Sequence, residues 1–101
     1  QDVLGDVEMV RHKVLMQEVL KRVVKGGHVA YGSDVEGAIS TGAVETLLMS
    51  DKLDEGVIDR LYEGVKSSGG SVEIVSVNFE EGFQLWDTFG GKAALLRFKI
   101  A

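Results

Sequence analysis

Two short apolar runs, residues 44–49 and 72–77, bracket a single stretch of helical periodicity, and this constrains the fold more than any other feature of the chain. The runs are bounded by turn residues and are too short for buried helices, so both read as strands, the first with the pattern of one covered on both faces. Between them, Val57, Ile58, Leu61, Tyr62 and Val65 recur at helical spacing from about Asp54 to Lys66. Two such strands joined by a helix are expected to lie parallel, through a right-handed crossover. The chain is therefore expected to be α/β, with helices layered on a sheet.

The remaining segments fit that frame. Residues 7–25 read as an amphipathic helix, with Val7, Val10, Val14, Leu20 and Val24 as the apolar stripe and Met16, Val19 and Val23 widening it. Gly26-Gly27 ends it, after Lys21, Arg22 and Lys25 have complemented the negative end of the helix dipole. A short apolar patch, Val29-Ala30-Tyr31, follows. Ser33 and Glu36 have the spacing of a capping box for a short helix carrying Val35, Ala38 and Ile39 and ending at Gly42. Asn78 and Glu81 offer a second cap, for a helix holding Phe79, Phe83, Trp86 and Phe89. Residues 93–100 complete the pattern as a strand with Leu96, Phe98 and Ile100 facing one way. The expected order is helix, short helix, strand, helix, strand, helix, strand, in one domain without linker or repeat.

With 101 residues, 45% hydrophobic, the chain has enough apolar material for one core. Cysteine is absent, which excludes a disulfide framework and thiolate metal sites. The formal net charge of −5 opposes the counterion release that drives phosphate binding, so nucleic acid is disfavoured as a partner. No apolar run approaches the roughly 20 residues of a membrane-spanning helix. The first residue is Gln1 rather than methionine, so a piece of a longer chain is expected.

Catalytic patterns are not found. Gly90-Gly91-Lys92 lacks the first glycine of G-x-x-x-x-G-K-[ST] and has Ala93 where the hydroxyl belongs, so turn glycines are the expected reading. His12 sits between Arg11 and Lys13 and is expected on the solvated side of its helix. His28 lies beside glycines with no nameable partner for general-base work. Asp51, Asp54 and Glu55 lack calcium-loop spacing and read as helix-start carboxylates. No cofactor or metal is expected. Glu80, Glu81, Phe83 and Trp86 interleave acid with aromatic side chains, the composition of an interface anchor, although core positions would look similar.

Three stretches together resemble a known family. They are Ala30-Tyr31-Gly32 followed by a short helix and residues 41–51 (TGAVETLLMSD), then residues 69–76 (GGSVEIVS), then residues 81–85 (EGFQL) with residues 89–98 (FGGKAALLRF). They resemble, in order and over residues 7–100, the C-terminal domain shared by Pelota proteins and the archaeal and eukaryotic class 1 peptide-chain release factors. Release factors of this type usually carry an inserted minidomain after the GAVETLL strand. Here Asp51 runs almost directly into the next helix, which is similar to Pelota, while Phe89-Gly90-Gly91 also resembles the release-factor pattern. Lys92 stands where the family usually has an apolar residue.

The resemblance implies a three-layer sandwich around a mixed, mostly parallel sheet, similar to the kink-turn-binding ribosomal protein fold. In those RNA binders the helix after the glycine reads N-E-x-T-K. Here Ser33-Asp34-Val35-Glu36-Gly37 puts an anion and a glycine where threonine and lysine would be, so kink-turn recognition is expected to be lost. The family's C-terminal domain begins further upstream, with a strand and helix not found here, which would leave a sheet edge open to dimerisation or aggregation. The resemblance also implies a cytoplasmic, archaeal ribosome-rescue and mRNA-surveillance factor that enters the ribosomal A site. Its C-terminal domain would hold an elongation factor 1 alpha-like GTPase and the ABC-type ATPase that splits subunits, with no catalysis of its own. The alternatives are a release-factor domain acting in translation termination and, in another class, a kink-turn RNA-binding module. A small enzyme built on His28 has no supporting pattern.

Overall fold

The computed structural model describes the backbone of residues 3–98 and the side chains of residues 7–98. The elements run α1 (Val3–Lys25), β1 (Val29–Tyr31), α2 (Asp34–Ser40), β2 (Val44–Ser50), α3 (Glu55–Ser67), β3 (Ser71–Val75), α4 (Glu80–Phe89) and β4 (Lys92–Leu96). The sheet has the order β1-β4-β2-β3. β2 and β3 are parallel, as their connecting helix requires, but β4 is antiparallel to both β1 and β2. The sheet is thus mixed, as expected, and the expectation of a mostly parallel one is corrected. The strand at Val29–Tyr31, too short to carry a period, supplies one antiparallel pairing, and the direction of β4, unreadable from sequence, supplies the other.

The sheet separates two apolar clusters. One lies under α2 and α3 and takes Ala30, Val35, Ala38, Leu61 and Val65 with Ala94 and Leu96. The other lies under α1 and α4 and takes Met16, Val19, Val75, Leu85 and Phe89 with Ala93 and Leu95. β4 thus feeds alternate residues to the two sides, as a strand covered on both faces must. In β2, a register shift between Val44 and Thr46 resets the alternation. Val44 therefore joins Leu47 and Met49 under α2 and α3, although it is an odd number of residues away from both Leu47 and Met49.

Several local expectations are corrected. In α1, His12, Met16 and Val19 point at the sheet, while Val7, Val10, Val14 and Val24 are all more than half exposed. The helix is rotated from the expected stripe because Met16, Val19 and Val23 form a better-spaced apolar set, with His12 completing it. His12 is 6% exposed, not a surface residue. Its Nε2 donates to Glu73 Oε1 at 3.1 Å, and Arg11 binds the other carboxylate oxygen. Neither expected side-chain cap forms at α2 or α4. Ser33 is itself in a helical conformation, and Phe79 holds the N-cap position of α4. Asp54 does cap α3, accepting from the Gly56 amide at 3.0 Å. β4 ends at Leu96, Phe98 is exposed, and Ile100 lies outside the described residues.

Candidate partner-binding site

Helix α4 carries the four residues expected to bind a partner, and its sequence fixes how they are displayed. Gly82, Leu85 and Phe89 are its buried residues, three to four apart, so they define the face against the sheet. Glu80 and Phe83 then fall on the outer side, and Phe83 is 54% exposed. Trp86 lies between the two faces, half-buried. Glu81 turns inward far enough to bury its Oε1, which has no hydrogen-bond partner among the described residues. Three of the four therefore contribute to one surface, and Glu81 is set apart from it. Of the other aromatics, Phe79 packs at the margin of the core and Phe89 lies within it, edge-on to Tyr31 at 5.3 Å.

The loops at the carboxyl ends of β2 and β3 complete this surface. Lys52 Nζ stands 5.9 Å from the Trp86 ring, within cation–π range. Asp51 links the two loops: its backbone N–H donates to Val75 O, and its Oδ1 accepts from the Val77 amide at 3.2 Å. Gly91, at φ +85°, passes so close to Leu53 and Trp86 that an added Cβ would lie 2.9 Å and 3.2 Å from their side chains. The glycine pair after α4 is therefore a tight turn that seats Trp86. Lys52 was not singled out from the sequence because its relation to Trp86 spans two elements.

The segment matching the RNA-gripping helix of kink-turn binders presents a different surface. Arg60 donates to Glu36 at 3.1 Å, and that hydrogen bond holds the Glu36 carboxyl below its usual range. His28 is exposed, and its ring has no hydrogen-bond partner among the described residues. No three His, Asp or Glu side chains among the described residues are grouped to hold a metal ion. No described helix is long and apolar enough to cross a membrane.

The family model described as eRF1 domain 3 matches residues 9–100. The chain belongs to that family. It is 40% identical over 104 residues to the protein pelota homolog of Methanococcoides burtonii, covering 97% of this chain and 30% of the relative. It is 35% identical to peptide chain release factor subunit 1 of Archaeoglobus fulgidus, covering 98% of this chain and 35% of that protein. The second alignment needs 141 positions for a 101-residue chain, so the release factor carries inserted residues without counterpart here. The chain spans about 30% of the length of the pelota homologs it matches.

Among solved structures, the crystal structure of Archaeoglobus fulgidus Pelota superposes with a TM-score of 0.84 at 38% identity, over 95% of this chain and 32% of that one. Ribosome-bound archaeal Pelota, described with ABCE1, superposes at 0.82 with 35% identity, over 95% of this chain and 28% of that one. Dom34 of S. cerevisiae, a translation termination-like factor of RNA quality control that interacts with Hbs1, superposes at 0.85 with 26% identity, over 96% of this chain and 29% of that one. The domain is thus the one that Pelota proteins and class 1 release factors share, and the α/β layering expected from the sequence is the family's fold.

Proposed function

We propose that this family member is the partner-holding domain of a cytoplasmic ribosome-rescue factor of Pelota type, without catalytic activity of its own. It docks an elongation factor 1 alpha-like GTPase and an ABC-type ribosome-splitting ATPase, while ribosome contact belongs to the full-length protein. The observation that carries the reading is Phe83, a large aromatic left 54% exposed on α4 beside Glu80, with Trp86 and Lys52 stacked at its margin. Exposed aromatics with a polar rim are the usual anchors of protein interfaces. Solved relatives described with Hbs1 and with ABCE1 support the choice of partners. The inserted residues of the Archaeoglobus release factor favour Pelota over termination. Glu36, an anion where an RNA binder has its threonine, and Gly37, where it has its lysine, weigh against kink-turn binding.

Calorimetric titration of this chain with an archaeal elongation factor 1 alpha-type GTPase, with the ribosome-recycling ATPase and with a kink-turn RNA tests the proposal. Binding to either protein, weakened by Phe83→Ala, is expected, with no heat from the RNA. RNA binding would overturn the reading of Glu36 and Gly37, and silence from both proteins would overturn the docking role.

A further inference from the structure

The other face of the sheet holds a second open feature. Among the described residues β1 is a terminal strand, paired with β4 alone. Leu96 donates to His28 O and Gly32 donates to Lys92 O, and the register between them matches Ala30 with Ala94. In an antiparallel ladder that pattern turns the backbone N–H and C=O of Val29 and Tyr31 away from β4. Beside this edge runs a groove of about 630 Å3, walled by His28 and Val29 on the strand side and by Asp34, Gly37, Ala38 and Thr41 on the helix side. A Cβ placed on Gly37 would meet nothing within 4 Å.

The charge in the groove has one sign. Asp34 has no ion-pair partner among the described residues, and α2 carries acid in its first turn and no base in its last. Glu36, the other acid of α2, is already held by Arg60. Among the described residues, His28 is the only other ionisable side chain on the walls.

We infer that this groove takes an extended peptide segment of a protein partner, which adds a strand to the free edge of β1 and sets a basic side chain against Asp34. The outward N–H and C=O groups of Val29 and Tyr31 suit an extended segment, which can pair with both residues of the edge at once. The unpaired carboxylate gives it a positive side chain, and the small residues Gly37 and Ala38 leave it room. This contact rests on the partner-docking role proposed above and adds a site separate from α4, on the opposite side of the sheet.

The test combines affinity with amide hydrogen exchange, using the elongation factor 1 alpha-type GTPase and the ribosome-recycling ATPase as separate probes. One of them is expected to slow exchange at the Val29 and Tyr31 amides. Gly37→Trp, whose side chain enters open space, is expected to weaken that partner at least tenfold without lowering the unfolding midpoint. Asp34→Asn is expected to weaken it less and to flatten its salt dependence. Should both proteins bind with full affinity to Gly37→Trp and leave those amides unprotected, the groove is not a docking site, while the α4 reading stands. Silence from wild type with both proteins overturns both proposals together. Protection that instead follows kink-turn RNA, or that rises with chain concentration and no partner, replaces the peptide with RNA or with a second copy.

Discussion

His12 on α1 donates from Nε2 to Glu73 on β3 across 3.1 Å, although the two lie 61 residues apart. Glu73 also receives Arg11, so one carboxylate fastens the first helix to an edge strand. Burial pushes the Glu73 carboxyl up, but the hydrogen bonds from Arg11 and His12 outweigh it and hold it below the usual range. The folded state therefore ionises Glu73 at lower pH than the unfolded chain does. Its stabilisation is complete above the ordinary glutamate value of about 4.3 and is lost as pH falls through the folded value. Chemical denaturation between pH 7 and pH 3 should show this acid limb, and Glu73→Gln should flatten it.

Gly82 stands against the Ser76 carbonyl so closely that no Cβ fits between them. The obstruction is backbone, which moves less readily than a side chain. Gly82→Ala should cost at least about 2 kcal/mol in urea unfolding, by overpacking. Gly37→Ala should do the reverse, gaining about 0.5–1 kcal/mol from helix propensity, because its added methyl meets open space.

Phe83 and Trp86 should separate binding from folding. Phe83→Ala removes an exposed ring, and its unfolding midpoint should stay within about 0.5 kcal/mol of wild type while GTPase or ATPase affinity falls. Trp86 is seated on Gly91 and under Lys52, so Trp86→Ala should lower both stability and affinity. Equal loss of stability in the two variants would place Phe83 in the core.

The orientation of α1 predicts a contrast along a single helix. Met16 is fully buried, and Met16→Ala should cost about 2–5 kcal/mol. Val10 and Val14 are 61% and 58% exposed, and replacing either with Gln should change stability by no more than about 0.5 kcal/mol. Thermal melts of the three variants decide between the observed face and the one expected from the valine spacing.

The course of α1 shows where sequence reading ends. The many apolar residues on one long helix allow two stripes, and the choice depends on whether His12 faces Glu73, a contact that no local pattern encodes. The strands at 44–49 and 72–77 were legible as short β-branched and apolar segments set off by turns around one helical stripe, and β2 and β3 occupy them within two residues. β2 is largely buried, whereas β3 is an edge strand with Ile74 exposed. β1 was not legible, since three residues carry no period. The caps at Ser33 and Asn78 matched a pattern whose backbone conformation the sequence does not fix, whereas Asp54 met the same requirement and formed its bond. On α4 the residue types suggested an interface, and only the helix phase set by Gly82, Leu85 and Phe89 separated Phe83 outside from Glu81 inside.

The placement of β4 between β1 and β2 also governs the order in which the chain can assemble. Residues 29–31 have no neighbour in the sheet until residues 92–96 arrive, and the same strand supplies apolar side chains to both clusters. Both halves of the core are complete only with the last strand in the middle of the sheet. Pairings so distant in sequence are expected to slow folding relative to a domain built from local contacts. Loss of the segment from Lys92 onward would leave β1 stranded and both clusters unlidded, an abrupt failure to fold in place of a smaller domain.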